Sequence, residues 1–210
     1  KPGNGIAERV PPQSRSLVDV NHKHLEQIHI CLGAPGLSIT DPRRYAYSLL
    51  NTILGGNMSS RLFQEIRENR GLAYTVYSFI TSHVDTGMFG IYLAVDPAKA
   101  LEATDLVLKE IDKLSAEPVT ANELQGAVEY TKGSLLLASE SNDNQMVRTA
   151  QNEIHFNRII GLAEVIEKIE SVTATEILEL SKSLFEKNKM SLTLLGPVKD
   201  KKPFEDILYS

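Results

Sequence analysis

Four residues of metal-ligand type, His22, His24, Glu26 and His29, crowd one short stretch near the start of the chain. A His-x-His pair on a strand can turn two imidazoles toward one ion, so zinc binding is the chemistry this cluster would support. Strand geometry argues against it. Residues two apart on a strand are ~7 Å apart, which keeps His22 and Glu26 from closing on one ion, and His29 has the opposite parity. The expectation here is a solvated strand entrance.

Hydrolytic zinc sites bring two histidines and a glutamate base onto one helix face, as His-Glu-x-x-His or the inverted His-x-x-Glu-His. Neither spacing occurs in this sequence. His83, at a turn, and His155, in a helical segment, each stand far from another histidine and are expected to be surface or locally bonded residues. No Gly-x-Ser-x-Gly elbow is present, and Cys31 sits like a buried strand residue, where a thiol stays protonated and inert. Gly55-Gly56 before a helix could cradle an anion on free N–H groups, but no P-loop pattern follows, and a tight turn that stops a helix is the simpler reading.

One block remains, Leu54 to Phe79, reading LGGNMSSRLFQEIRENRGLAYTVYSF. It combines a Gly-rich turn, a charged amphipathic helix, a Gly stop and a strand that opens near Tyr74. Arg67 falls near the end of that helix, so its guanidinium and the Tyr74 phenol could face one side of a sheet edge. Together they would offer hydrogen-bond donors suited to carbonyls or carboxylates. The alternative is that Arg67 caps the last helical carbonyls while Tyr74 half-fills the core.

The elements that must position this block follow from pattern. Strand-like alternation runs through Leu17, Val18 and Val20, then through Ile28, Ile30 and Leu32. Asp41-Pro42 opens a helix carrying Tyr45, Leu49, Leu50 and Ile53, stopped by Gly55-Gly56, and a second helix spans Ser59 to Asn69. Ala73 to Thr81 and Gly87 to Val95 form an antiparallel hairpin. Asp96-Pro97 starts a helix with Leu101, Thr104, Leu108, Ile111 and Leu114 on its inner side. Capping boxes at Thr120/Glu123 and Thr173/Glu176 start two more, with helix almost throughout Leu124 to Val172. Met190 to Leu195 is a last strand. This order is not the alternation of a doubly wound parallel sheet, so the fold class expected is α+β, with helices packed on a mixed or antiparallel sheet.

Composition narrows the function classes. The chain has 210 residues, a formal net charge of −5, 42% hydrophobic and 23% charged residues, and one cysteine. Its basic cluster, Arg61, Arg67 and Arg70, is interrupted by Glu65 and Glu68, which does not suit a nucleic-acid partner. No apolar run approaches the ~20 residues of a membrane span. The single cysteine excludes an intrachain disulfide and fits a reducing compartment. Residues 1–13, rich in Pro and Gly, have linker composition, and the folded domain is expected over 14–210. A chain opening on Lys1 reads as a fragment or a processed chain.

The runs Leu-Gly-Gly-Asn-Met-Ser-Ser-Arg-Leu-Phe-Gln and Ile-Arg-Glu-Asn-Arg-Gly-Leu-Ala-Tyr closely resemble the C-terminal half of the pitrilysin family, which includes mitochondrial processing peptidase and its bacterial relatives. The likeness extends over about residues 14 to 197. The resemblance implies a half-domain that closes like a clamshell over an unfolded peptide, against an N-terminal half of the same protein that carries the zinc and the inverted motif. It implies no cofactor and no catalytic residue in this chain alone, and zinc in the missing half. Arg67 and Tyr74 match the family's Arg and Tyr pair that holds substrate backbone near the scissile carbonyl. The expected function is therefore a substrate-holding domain, inactive alone, of a zinc metalloendopeptidase. The alternative is a non-catalytic structural subunit of the same family. A bacterial cytoplasmic location and self-pairing of the cleft-facing surface into a homodimer are further expectations.

Overall fold

The computed structural model describes residues 10–210. Among the described residues five strands form one mixed sheet in the order β1-β5-β2-β4-β3. These are β1 (Leu17–His22), β2 (Ile28–Gly36), β3 (Ala73–Ser82), β4 (Gly87–Val95) and β5 (Ser191–Gly196). The last strand in sequence lies between the first two, parallel to β1 and antiparallel to β2. The remaining pairs, β2 with β4 and β4 with β3, are antiparallel. The fold is α+β, as expected from the order of elements.

Alternation decides what each face does. Ile28, Ile30 and Leu32 of β2, Phe89, Ile91 and Leu93 of β4, and Leu192 and Leu194 of β5 are all buried on one face. That face is covered by α1 (Arg44–Leu54), α2 (Ala100–Ala116) and α6 (Ala174–Leu184), which join the same core through Leu49, Leu50, Val107, Ile111, Ile177 and Leu180. Phe89 anchors the middle, edge-on to Tyr47 at 5.8 Å and to Phe185 at 5.1 Å between ring centroids. Aromatic pairs at such angles add to plain area burial.

The other helices are α3 (Ala121–Ser139), α4 (Asn142–Phe156), α5 (Leu162–Glu170) and α7 (Lys202–Tyr209). Both expected capping boxes form, Thr120 with Glu123 and Thr173 with Glu176. The span read as continuous helix divides at Ser141, which caps α4, and again at Asn157, whose φ of 51° ends it. Leu101 is exposed, not part of the inner stripe of α2; Ala100 and Ala103 face the core in its place. The linker expected over 1–13 lies mostly outside the described residues, while 10–13 are exposed and without regular structure.

Candidate functional site

The Leu54–Phe79 block builds one corner of the sheet. After Gly55-Gly56 the chain turns into a short helix whose segment Phe63–Asn69 is a π-helix, wider than the α-helix expected there. Gly71, at φ 58°, releases the chain, with Gly71 N–H donating to Arg67 C=O and Leu72 N–H to Ile66 C=O. A non-glycine residue would resist that left-handed turn. β3 then starts with a bulge: Ala73 pairs with Val95 and Thr75 with Ala94, so Tyr74 is the extra residue. Ala73 and Val76 are three apart yet both buried, and only a one-residue slip lets both face the core. The slip turns Tyr74 outward, where it is 77% exposed.

Arg67 and Tyr74 meet there. The Arg67 guanidinium carbon lies 4.7 Å from the Phe63 ring centroid and 4.5 Å from that of Tyr74, so the cation is stacked against both rings. Its nearest carboxylate oxygen, on Glu68, is 3.6 Å from Nε. Among the described residues neither the Arg67 N–H groups nor the Tyr74 hydroxyl makes a hydrogen bond. Arg67 therefore does not cap the helix, and Tyr74 does not fill the core.

Its arginine neighbours differ. Arg61 Nε and Nη2 donate to the two carboxylate oxygens of Glu123 at 2.7 and 3.2 Å. Arg70 Nε donates to Glu65 at 2.7 Å. Hydrogen bonds from Arg70 and then Asn69 hold the Glu65 carboxyl below the usual carboxylate range. Two of the three arginines of the cluster are thus committed to carboxylates, and the one stacked on Tyr74 keeps its donors.

Gly55 and Gly56 do not form an anion cradle, since both N–H groups donate to the Asn51 carbonyl. Gly55 C=O accepts from Ser78 N–H at 3.1 Å, and Ser78 Oγ donates to Asn51 Oδ1 at 2.8 Å. The turn thereby covers the outer edge of β3 at its midpoint, which blunts an otherwise open strand edge.

The histidine cluster separates. β1 ends at His22, so His24 and Glu26 lie in the loop that follows, and the strand spacing argument does not apply to them. The His22 and His24 rings touch edge-on at 5.2 Å, whereas His29 Nδ1 is 2.7 Å from the Tyr92 hydroxyl, in the middle of the sheet. Among the described residues no three His, Cys, Asp or Glu side chains gather to hold a metal, so these residues do not fit a zinc site. His83 sits exposed at the β3–β4 turn and His155 is half-buried in α4. Cys31 is half-buried, not fully enclosed, and burial pushes its thiol up, away from the reactive thiolate.

Residues 3–130 match the family described as the peptidase M16 inactive domain, and the chain belongs to that family, the inactive half of the pitrilysin-type zinc peptidases. An uncharacterized zinc protease of Streptomyces coelicolor is 37% identical over 88% of this chain and 40% of its own length. One from Bacillus subtilis is 37% identical over 83% of this chain and 42% of its length. The chain thus spans about two fifths of the length of these relatives. Among solved structures, a peptidase M16 inactive domain from Pseudomonas fluorescens superposes with a TM-score of 0.83 at 25% identity, covering 94% of this chain and 48% of that one. A protease from Helicobacter pylori shares the fold, with a TM-score of 0.79 at 19% identity over 92% of this chain and 49% of that one. No helix among the described residues is long and apolar enough to cross a membrane.

Proposed function

We propose that this chain is the substrate-holding half of a zinc metalloendopeptidase, in which Arg67 and Tyr74 bind the backbone of an extended peptide. The single observation that carries the reading is the stacked, exposed Arg67–Tyr74 pair with its donors uncommitted, in a cluster whose other arginines are tied to carboxylates. Stacking on two rings fixes the guanidinium plane, so less freedom is lost when it meets a carbonyl. A zinc-bearing N-terminal half, in the same protein or another chain, supplies the metal, the water and the base. A donor that reaches the developing oxyanion in that assembly is worth ~3–4 kcal/mol. A bacterial cytoplasm suits the free Cys31, and the curated relatives named above are bacterial.

The test combines this chain with a separately expressed zinc-bearing half of a relative and follows cleavage of an unfolded peptide. Cleavage should need both halves, Tyr74→Phe should lower kcat more than it raises KM, and Arg67→Ala should weaken peptide binding. Cleavage indifferent to both residues would remove them from the site. No cleavage on mixing, with a stable complex formed, would favour the structural-subunit reading.

A further inference from the structure

A guanidinium can be held in place in two ways. A carboxylate holds it by taking its N–H donors, whereas an aromatic ring holds it by the face and leaves the in-plane donors free. Arg61 and Arg70 are held the first way, by Glu123 and Glu65. Arg67 is held the second way, by the rings of Phe63 and Tyr74. Tyr74 already has a place in the functional reading, and Phe63 has none.

The local sequence accounts for where Phe63 lies. Leu62 and Ile66, four apart, are shut away in the core and fix the roll of the helix. Phe63 and Arg67, the residue after each, share the neighbouring face and are both half-buried. The Arg67 backbone is pinned at the same point, since its carbonyl accepts from the N–H groups of Arg70 and Gly71. What is left to hold is the long side chain. Its nearest carboxylate oxygen, on the exposed Glu68, stands 3.6 Å from Nε, outside hydrogen-bond reach.

Core filling does not account for Phe63. Among the described residues the hydrophobic core and the partly buried side chains packed against it include Leu62 and Ile66 but not Phe63. Phe63 pairs with no other aromatic ring among them either. The group its ring face meets is the Arg67 cation.

We propose that Phe63 is a positioning residue, whose ring, together with that of Tyr74, holds the Arg67 guanidinium in one plane with its donors presented to the peptide backbone. The inference rests on the functional reading above, and Phe63 acts through Arg67 rather than on the peptide. An arginine side chain that is not held must be ordered when the peptide arrives, and that ordering weakens binding. Loss of the ring should weaken peptide binding by about two- to fivefold, the equivalent of a cation–π contact at a partly exposed site.

The experiment follows, by anisotropy, binding of a blocked Gly/Ser decapeptide with a terminal dye to the full chain and its variants in a double-mutant cycle. Phe63→Leu keeps an apolar side chain without a ring face. It should weaken binding about two- to fivefold when Arg67 is present and not at all in the Arg67→Ala background. Phe63→Tyr, which keeps the ring, should bind like the wild type. In NMR spectra of the unliganded chain, the Arg67 Nε–H proton should move downfield in Phe63→Leu, as ring shielding is lost, and stay in place in Phe63→Tyr. Should Phe63→Leu fail to fold, replacement of Phe63 by pentafluorophenylalanine, which keeps the shape and reverses the charge of the ring face, carries the same expectations for binding. A loss that persists in the Arg67→Ala background, as a purely structural role would give, overturns the positioning role and leaves the functional reading standing. So does an unmoved Arg67 resonance in Phe63→Leu, or unchanged binding by Phe63→Leu where Arg67→Ala itself weakens it. Binding indifferent to Arg67→Ala overturns the functional reading and the positioning role with it. Absence of binding by the wild type overturns both.

Discussion

The two faces of the central sheet are made by the same strands from alternate residues, and they obey different rules. On the covered face, Ile30, Leu192 and Leu194 are shut away completely and answer to packing. On the open face, Tyr77, Phe79 and Tyr92 are fixed by one another and by Gly90, yet stay in contact with solvent. Tyr77 and Tyr92 are direct cross-strand partners and Phe79 covers Gly90, so these rings also brace the β3–β4 hairpin from its open side. One face is buried under helices, and the other is left uncovered among the described residues.

The largest effect that would break this contrast is on the covered face. Leu194→Ala should lower the unfolding free energy by about 2–5 kcal/mol, through lost burial plus the cavity left behind. Tyr77→Thr should cost less than about 1 kcal/mol, since a β-branched residue suits an exposed strand position. Urea unfolding followed by circular dichroism measures both. Equal losses would mean that the rings of the open face are as structural as the core.

Next in size is the joint between the corner and the sheet. A Cβ on Gly55 would stand 2.5 Å from the Ser78 nitrogen, on backbone that has no room to retreat. Gly55→Ala should therefore cost about 1–3 kcal/mol, as overpacking does. Gly71→Ala meets no atom within 4 Å but must adopt a φ of 58°, so its loss should be smaller and purely conformational. If the two cost the same, steric closure of the β3 edge is not what Gly55 provides.

What the sequence showed and what it hid divide along the same line. The β3–β4 hairpin was legible because β-branched and aromatic residues flank a short polar turn, and the capping boxes because Thr-x-x-Glu has a local mechanism. The insertion of β5 between β1 and β2 was not legible, since pairing between opposite ends of the chain, as of Leu17 with Ser191 and Gly33 with Ser191, leaves no mark in a local pattern. The eight-residue helix α7 was too short for its periodicity to register, although Phe204 and Leu208 bury a full turn apart. The candidate site was half visible. Residue types and spacing left Arg67 and Tyr74 between a donor pair and a helix cap with a core filler, the resemblance to the family favoured the pair, and the π-helix and the bulge that bring them together depend on fitting the core. The aromatic cluster of Tyr77, Phe79 and Tyr92 was hidden for a simpler reason: alternation says that a strand has two faces, not which one the helices leave open.

A smaller effect concerns Glu123, which joins the corner to α3. Burial alone would raise its carboxyl, but hydrogen bonds from Arg61 and Thr120 outweigh it and hold the group below the usual range. A carboxylate depressed on folding adds stability above its unfolded value, near 4.3, that is lost as pH falls through the folded value. Glu123→Gln should therefore cost on the order of 1 kcal/mol at pH 7 and less at pH 3, because the wild type loses its own contribution there. Melting profiles of both proteins from pH 3 to 7 should converge toward acid. Parallel profiles would show that the Arg61–Glu123 pair is not coupled to folding.

The smallest stability effect falls on the residue given the largest functional role. Tyr74 occupies the extra position of a bulge, is mostly exposed, and touches Arg67 by stacking alone. A cation–π contact at such a site is worth ~0.5–1 kcal/mol, and the unfolded chain gains nothing from the ring either. Tyr74→Ala should thus change the unfolding free energy by no more than about 1 kcal/mol while it weakens backbone-mediated peptide binding. That outcome would place the use of the bulge outside the fold. If Tyr74→Ala instead destabilised the domain by as much as a core truncation and left peptide binding intact, the corner would be a packing device, and the division between the two faces would have to be redrawn to include it.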